Sequence, residues 1–227
     1  RMEVEGRTIR LVVDDAEAVY PITIDPLIGV QQGKLTASDA AYLDEFGRSV
    51  SISGDTAIVG THRESDPFAY IFERSPTTWT QVQRLSCSGS GNGGFGYSVS
   101  ISGDTAIVGA NNDAVGAGIR SGSAYVFVRS GTSWTQQAML TASDAADNDN
   151  FGYSVSISGD TAIIGANEDV EGGIRSGSAY VFVRSGTTWA QQAKLTASDA
   201  AAGDSFGNSV SISGDTAIVG AYLDNDG

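Results

Sequence analysis

One phrase is written four times in this chain with almost no change: FGRSVSISGDTAIVGT from Phe46, FGYSVSISGDTAIVGA from Phe95, FGYSVSISGDTAIIGA from Phe151 and FGNSVSISGDTAIVGA from Phe206. The Phe-Gly pairs stand 49, 56 and 55 residues apart, and Trp79, Trp134 and Trp189 follow each other at steps of 55. Self-similarity at a fixed period marks a repeat architecture, in which each unit buries its apolar face only against its neighbours. A residue found once can be a site. A residue found four times is first of all scaffold.

The unit that begins at Phe151 divides into four strands. YSVSIS (153–158) alternates Val and Ile with Ser, the period of a strand. Ser-Gly-Asp is a turn signal. TAIIGA (161–166) is a short apolar run suited to a strand covered on both faces. After the loop NEDVEGGIRSG, AYVFVR (179–184) is rich in β-branched and aromatic residues. WAQQAKLTA (189–197) is the most polar strand. No window has a 3.6-residue period, so no helix is expected. Four antiparallel strands per unit in tandem predict an all-β chain of β-propeller blades, apolar inside and polar at the outer strand.

Residues 35–45 read as the outer strand and exit loop of a preceding blade. Three full units follow, and the one from Phe206 stops after its second strand. Propellers close with roughly four to eight blades, so a fragment is expected, with further blades of the same chain needed for closure. The repeats therefore occupy 35–227. Residues 1–34 read as the tail of an upstream β-domain or a linker hairpin, with strands in RTIRLVVDD and AEAVYPITIDP.

Phe-Gly opening the first strand and Val-Gly-Ala closing the second (108–110, 219–221; Ile-Gly-Ala at 164–166, Val-Gly-Thr at 59–61) resemble the FG-GAP repeats of integrin α-subunit propellers. Gly-Ser-Ala-Tyr-Val-Phe at 122–127 and 177–182 is similar to the family's third strand. YPITIDP resembles a stretch found upstream of such repeats in large bacterial surface proteins. The resemblance implies an extracellular or cell-surface module that binds a protein or glycan without catalysis. Many members carry a calcium loop of the DxDxDG kind between the first two strands. This chain has only Ser-Gly-Asp there, with one carboxylate each at Asp55, Asp104, Asp160 and Asp215. Calcium needs six to eight oxygens, so that site does not transfer. Each of these aspartates is expected to bond its own turn backbone.

The formal net charge is −14, from 27 acids against 13 Lys and Arg. Phosphate binding needs a basic surface, which excludes nucleic acid as a partner class, and no apolar run reaches the ~20 residues of a membrane span. In up-and-down blades the long second-to-third loops share one end with the crossings between blades. Sixteen of the 27 acids fall there, against three arginines. Such a field steers cationic partners, and loops on a rigid scaffold carry function. The ligand-binding candidates are Asp113, Glu168, Asp169, Arg120 and Arg175. The crossings repeat an Asp pair five apart (Asp39/Asp44, Asp144/Asp149, Asp199/Asp204). Asp144, Asp147 and Asp149, with Asp224 and Asp226, are the metal-ligand candidates, and calcium is the cation that oxygen donors suit. Solvated, turn-supporting carboxylates are the alternative.

Catalytic constellations are sparse. His62 is the single histidine and Cys87 the single cysteine, so neither a Ser-His-Asp triad nor a zinc site finds its usual residues. GSGNGGFG (89–96) lacks the lysine of a phosphate loop. The periodic tryptophans are expected to pack against the adjacent blade. Two other functions share these features: an accessory domain of a secreted hydrolase or lyase, and a structural spacer in a large surface protein.

Overall fold

The computed structural model describes residues 2–5, 8–11, 33–39, 44–62, 68–88, 93–116 and 118–225. The chain divides into two compact units, Arg1–Leu35 and Thr36–Gly227. In the first, β1 (Met2–Glu5) pairs antiparallel with β2 (Thr8–Leu11). The strand expected in AEAVYPITIDP lies outside the described residues.

The second unit is all-β, as the period requires. Its first blade is β3 (Val50–Ser53), β4 (Thr56–Gly60), β5 (Ala69–Ser75) and β6 (Thr78–Leu85). The second is β7 (Phe95–Ser102), β8 (Thr105–Ala110), β9 (Ser123–Ser130) and β10 (Ser133–Leu140). The third is β11 (Phe151–Ser158), β12 (Thr161–Ala166), β15 (Ser178–Ser185) and β16 (Thr188–Leu195), with the hairpin β13 (Val170–Glu171) and β14 (Ile174–Arg175) in its long loop. A pair, β17 (Phe206–Ser213) and β18 (Thr216–Ala221), begins a fourth. Each four-stranded sheet is a simple antiparallel meander, so these are blades of an open, unclosed propeller.

The Ser-Gly-Asp turns are as tight as expected. Gly103 has φ 55°, and Ser102 pairs directly with Thr105. Positive φ at the first of two turn residues suits the right-handed twist of a hairpin. The outer strands carry something the sequence pattern hides. Each has a bulge, between Gln81 and Gln83, Gln136 and Ala138, and Gln191 and Ala193. An extra residue here swings one side chain toward the neighbouring blade.

Blades meet along a repeated seam. Ile58, Ile71 and Leu85 of the first blade pack with Val99, Ile101 and Trp134 of the second, and Ile107, Val126 and Leu140 of the second pack with Val155 and Ile157 of the third. The first-strand serines close it with hydrogen bonds. Val99, Ile101 and Gly103 donate their backbone N–H to Ser49, Ser51 and Ser53 Oγ. Ile157 and Gly159 donate to Ser100 and Ser102, and Ile212 and Gly214 to Ser156 and Ser158, at 3.1–3.2 Å. The Val/Ile–Ser alternation thus gives the adjacent blade an apolar layer and a row of acceptors.

The two motif glycines face each other across this seam. A Cβ on Gly109 would stand 2.1 Å from the Gly152 carbonyl oxygen, and one on Gly165 would stand 1.9 Å from that of Gly207. Gly152 itself has φ 90°, a conformation that favours glycine. The Phe beside it is the blade's anchor: Phe151 is fully buried and sits edge-on to Tyr180 and Phe182 of its own third strand.

Candidate functional site

The long loops and the crossings do share one end of the blades. Arg120 N–H, in the loop after β8, donates to Asp147 Oδ1 in the following crossing, and Gly203 N–H in the next crossing donates to Arg175 O. At this end the acids separate into two populations.

In the Asp pairs five apart, Asp39, Asp144, Asp149 and Asp204 hold the fold. The first member ties the crossing to the blade that follows it. Asp39 accepts from Tyr70 OH at 2.9 Å and Arg84 at 2.6 Å, and Asp144 accepts from Tyr180 OH at 3.0 Å and Lys194 Nζ at 2.7 Å. The second member is buried and folds the crossing on itself: Asp149 accepts from Ala146 N and Asp204 from Ala201 N, both at 2.6 Å. Burial pushes the Asp149 carboxyl up, against the pull of the Ala146 amide. Burial also pushes Asp144 up, but the bonds from Lys194 and Tyr180 outweigh it and hold the carboxyl below the usual range.

Lys194 is the node of this end. Its Nζ lies 2.7 Å from Asp144, 2.8 Å from Asp169 and 2.6 Å from Glu171. Burial pushes its pKa down, and the three carboxylates together raise it. The stabilising charge state of Asp144 is complete above the ordinary carboxylate pKa of about 4 and is lost as pH falls through its lowered folded value. Melting temperature measured from pH 5 down to pH 2 should therefore fall, and part of that fall should vanish in Lys194→Met.

Asp113 and Asp169, expected to face ligand, are buried instead. This is a correction with a clear cause. They stand three residues past the end of the second strand, where the loop turns inward. Asp169 accepts from Ser178 Oγ at 2.5 Å, and Asp113 accepts from Ser123 Oγ at 2.5 Å and Tyr125 OH at 2.6 Å. They fasten the long loop to the start of the third strand. The middle blade departs from its neighbours here: Met139 occupies the position of Lys194, and Gly89 that of Asp144. Asp113 Oδ1 is buried there with no hydrogen-bond partner.

The remaining candidates sit outside. Arg120 and Arg175 are exposed, and Arg175 lies 3.3 Å from half-buried Glu168. Exposed Asp147 accepts from Arg120 N and Asn148 Nδ2. Asp144, Asp147 and Asp149 thus turn to separate partners, and a cation at this crossing would have to displace Lys194 and two backbone amides. Among the described residues no group of three or more His, Cys, Asp or Glu could hold a metal ion. Asp224 is exposed in the last loop, and Asp226 lies outside the described residues.

At the opposite end the turn aspartates bond across the blade. Asp55, Asp104 and Asp160 pair with Arg74, Arg129 and Arg184 at the end of the third strand, at 2.5–2.6 Å. Each guanidinium also lies over the next tryptophan: Arg74 over Trp79, Arg129 over Trp134 and Arg184 over Trp189, at 5.3–5.7 Å. Arg129 and Arg184 reach back to Thr56 and Thr105 of the preceding blade. Trp134 is buried in the core between the first two blades, and Trp189 packs against the next core. This is the expected scaffold role.

The tryptophans expose one defect. Trp189 Nε1 donates to Gln137, the bulge residue of the preceding blade, whereas Trp134 Nε1 is buried with no partner because Val82 holds the equivalent position. A satisfied buried hydrogen bond is worth about 1 kcal/mol net. Val82→Gln should raise the melting temperature by a few degrees, read by calorimetry.

Sequence reading missed a cluster at the inner edge. The residue after each Phe-Gly is Arg48, Tyr97, Tyr153 or Asn208. The Arg48 guanidinium lies 4.4 Å from the Tyr97 ring centroid, and Tyr97 lies 5.0 Å from Tyr153. The Tyr97 hydroxyl bonded to it, with burial, pushes the Tyr153 phenol up to about 12. The only signal was variation at one position inside a fixed phrase.

Comparison with curated proteins finds no match. A family model described as FG-GAP repeat matches residues 30–72, 79–127, 134–182 and 189–227. The last three matches begin in the outer strands β6, β10 and β16, and the first three end in the third strands β5, β9 and β15, so the sequence repeat straddles the seam. With the glycines of Phe-Gly and Val-Gly-Ala paired across that seam, and the family pattern covering most of its length, the chain belongs to the FG-GAP repeat family.

Proposed function

We propose that this chain is a non-catalytic interaction module of an extracellular or cell-surface protein. It binds a protein or glycan through the exposed acids of its long-loop end. The observation that carries this reading is the division of the acids. Asp113, Asp149, Asp169 and Asp204 are consumed by the fold, while exposed Asp147 and half-buried Glu168 remain beside Arg120 and Arg175, at positions that vary between repeats. Function on a repeat scaffold belongs to what differs from unit to unit, because loops carry specificity while the repeated core carries stability. An anionic surface favours cationic partners and accelerates their encounter.

The test is an array of surface glycans and matrix proteins probed with the purified chain and with the variant Asp147→Asn/Glu168→Gln. The proposal expects binding that weakens with added salt and falls at least several-fold in the variant. An array without binders, or binding indifferent to both salt and variant, would overturn it.

A further inference from the structure

One position inside the fixed phrase is free of the scaffold. The residue after each Phe-Gly is Arg48, Tyr97, Tyr153 or Asn208, while the SVSISGDTAI that follows it never changes. The residue before each Phe varies as well: Glu45, Gly94, Asn150 or Ser205. The two meet in a tight turn, with Tyr97 N–H donating to Gly94 O and Tyr153 N–H to Asn150 O, both at 3.0 Å. Gly94 suits the turn, with φ 74°, yet Glu45, Asn150 and Ser205 hold φ of 47°, 60° and 57° in its place. Left-handed backbone is strained for a residue with a Cβ, and such strain gathers at functional sites. The side chains converge across the seams. The Tyr97 and Tyr153 rings lie 5.0 Å apart with their planes at 47°. Asn150 Nδ2 donates to Asn167 Oδ1 at 3.4 Å, and Asn167 Nδ2 to Asn208 Oδ1 at 3.5 Å. Both tyrosines, Asn150 and Asn208 are half-buried. Each tyrosine has neighbouring strands of the array on either side, so this step lies within the array and not at its edge.

We propose that the Tyr97–Tyr153 step and the amides beside it form a subsite for a neutral saccharide. A sugar ring has an apolar C–H face and a rim of hydroxyls that both donate and accept. Tyrosine offers a rigid apolar face with a polar tip, and each Asn amide offers two donors and an acceptor. Tyr with Asn is the pairing that binding loops use to join rigid contact with adaptable hydrogen bonds. The amide bonds here are long beside the usual value of about 2.9 Å, so these groups are placed and still able to turn to a ligand. Charge selects the neutral class. Arg48 and His62 stand 3.6 Å and 3.4 Å from the same Glu45 carboxylate oxygen, which leaves no unbalanced charge to choose an ion. An anionic sugar would also meet the net charge of −14 on the chain. A cationic side chain is not awaited, because the Arg48 guanidinium already lies on the Tyr97 ring. The subsite is separate from the exposed acids of the long loops and goes beyond them in naming the ligand class.

The experiment is isothermal titration of the purified chain with neutral oligosaccharides of glucose, galactose, mannose and N-acetylglucosamine, up to ~10 mM so that a millimolar Kd is within reach. Tyr153→Asn copies the fourth unit and Asn150→Gly the second. Each places a residue that the array already folds with at that position, so both should keep the wild-type circular dichroism. Asp147→Asn/Glu168→Gln removes the loop-end acids. At least one sugar should bind, with the same strength in added salt and in the loop-end variant. Its affinity should fall about tenfold in Tyr153→Asn, the loss of one stacked ring, and several-fold in Asn150→Gly. No heat with any of these sugars overturns the inference, as does a sugar whose affinity survives Tyr153→Asn. A sugar lost in the loop-end variant instead overturns it and assigns that ligand to the loop acids. A Lys- and Arg-rich peptide bound through Tyr153 in place of any sugar overturns it too. The two sets of variants are read separately, so a failure here leaves the loop-end binding proposal standing.

Discussion

Gly109→Ala should cost at least about 3 kcal/mol, the upper range for forcing one methyl into a packed core. The new carbon would stand 2.1 Å from the Gly152 carbonyl oxygen and 2.2 Å from Ser98 Oγ. Ser98 could rotate, at the cost of its 2.8 Å bond to Gly152 O. The carbonyl cannot move, because it belongs to a backbone fixed on the other side by Ser123 O, 2.3 Å from where a Gly152 Cβ would lie. The second and third blades would have to separate along the buried Val155 and Ile157 layer. The control is Gly103→Ala, in an open turn with nothing within 4 Å of its Cβ. Its φ of 55° is left-handed, so it should cost only the ~1–2 kcal/mol of that conformation. Urea denaturation of the two variants separates a lost seam from a strained turn.

Lys194→Met should destabilise the third blade by about 3 kcal/mol, the cost of removing one partner from a buried ion pair. Asp169 is 3% exposed and would keep Ser178 as its side-chain donor, while Asp144 would keep Tyr180. The substitution copies the middle blade, where Met139 and Gly89 stand at these positions and Asp113 Oδ1 is left without a partner. The reciprocal change, Met139→Lys, returns a cation to Asp113 and should move stability the other way. Matched melting curves of the two variants decide it. Equal and opposite shifts would show that the node is modular, and a null result for Lys194→Met would remove it.

Much of this architecture was legible because the repeat prints it several times. The strand expected over 161–166 is β12 to the residue, and 179–184 lies within β15. The expected start at 153 fell two residues late, because the positive φ of Gly152 interrupts the pairing between Phe151 and Ser154. The bulges at Val82, Gln137 and Gln192 could not be read, since a bulge changes register without changing the residue types around it. The site was read less well than the fold. Position in a loop predicted exposure for Asp147 and Arg175 correctly and failed for Asp113 and Asp169. Their partners, Ser123, Tyr125, Ser178 and Lys194, lie on other strands, and a single chain read in order does not show which of them converge. Repetition held the clue, because an Asp that recurs at the same place in each unit serves the unit.

The account rests on that distinction between acids the fold consumes and acids it leaves exposed. The most direct test is a comparison of melting temperatures. Asp147→Asn should melt with the wild type, since the carboxylate is exposed and the amide oxygen of the substituted side chain can still accept from Arg120 N. Asp169→Ala should lose several degrees, because it strips Ser178 and Lys194 of a buried partner. An Asp169→Ala chain that melts with the wild type, or an Asp147→Asn chain that loses as much as Asp169→Ala, would contradict the account.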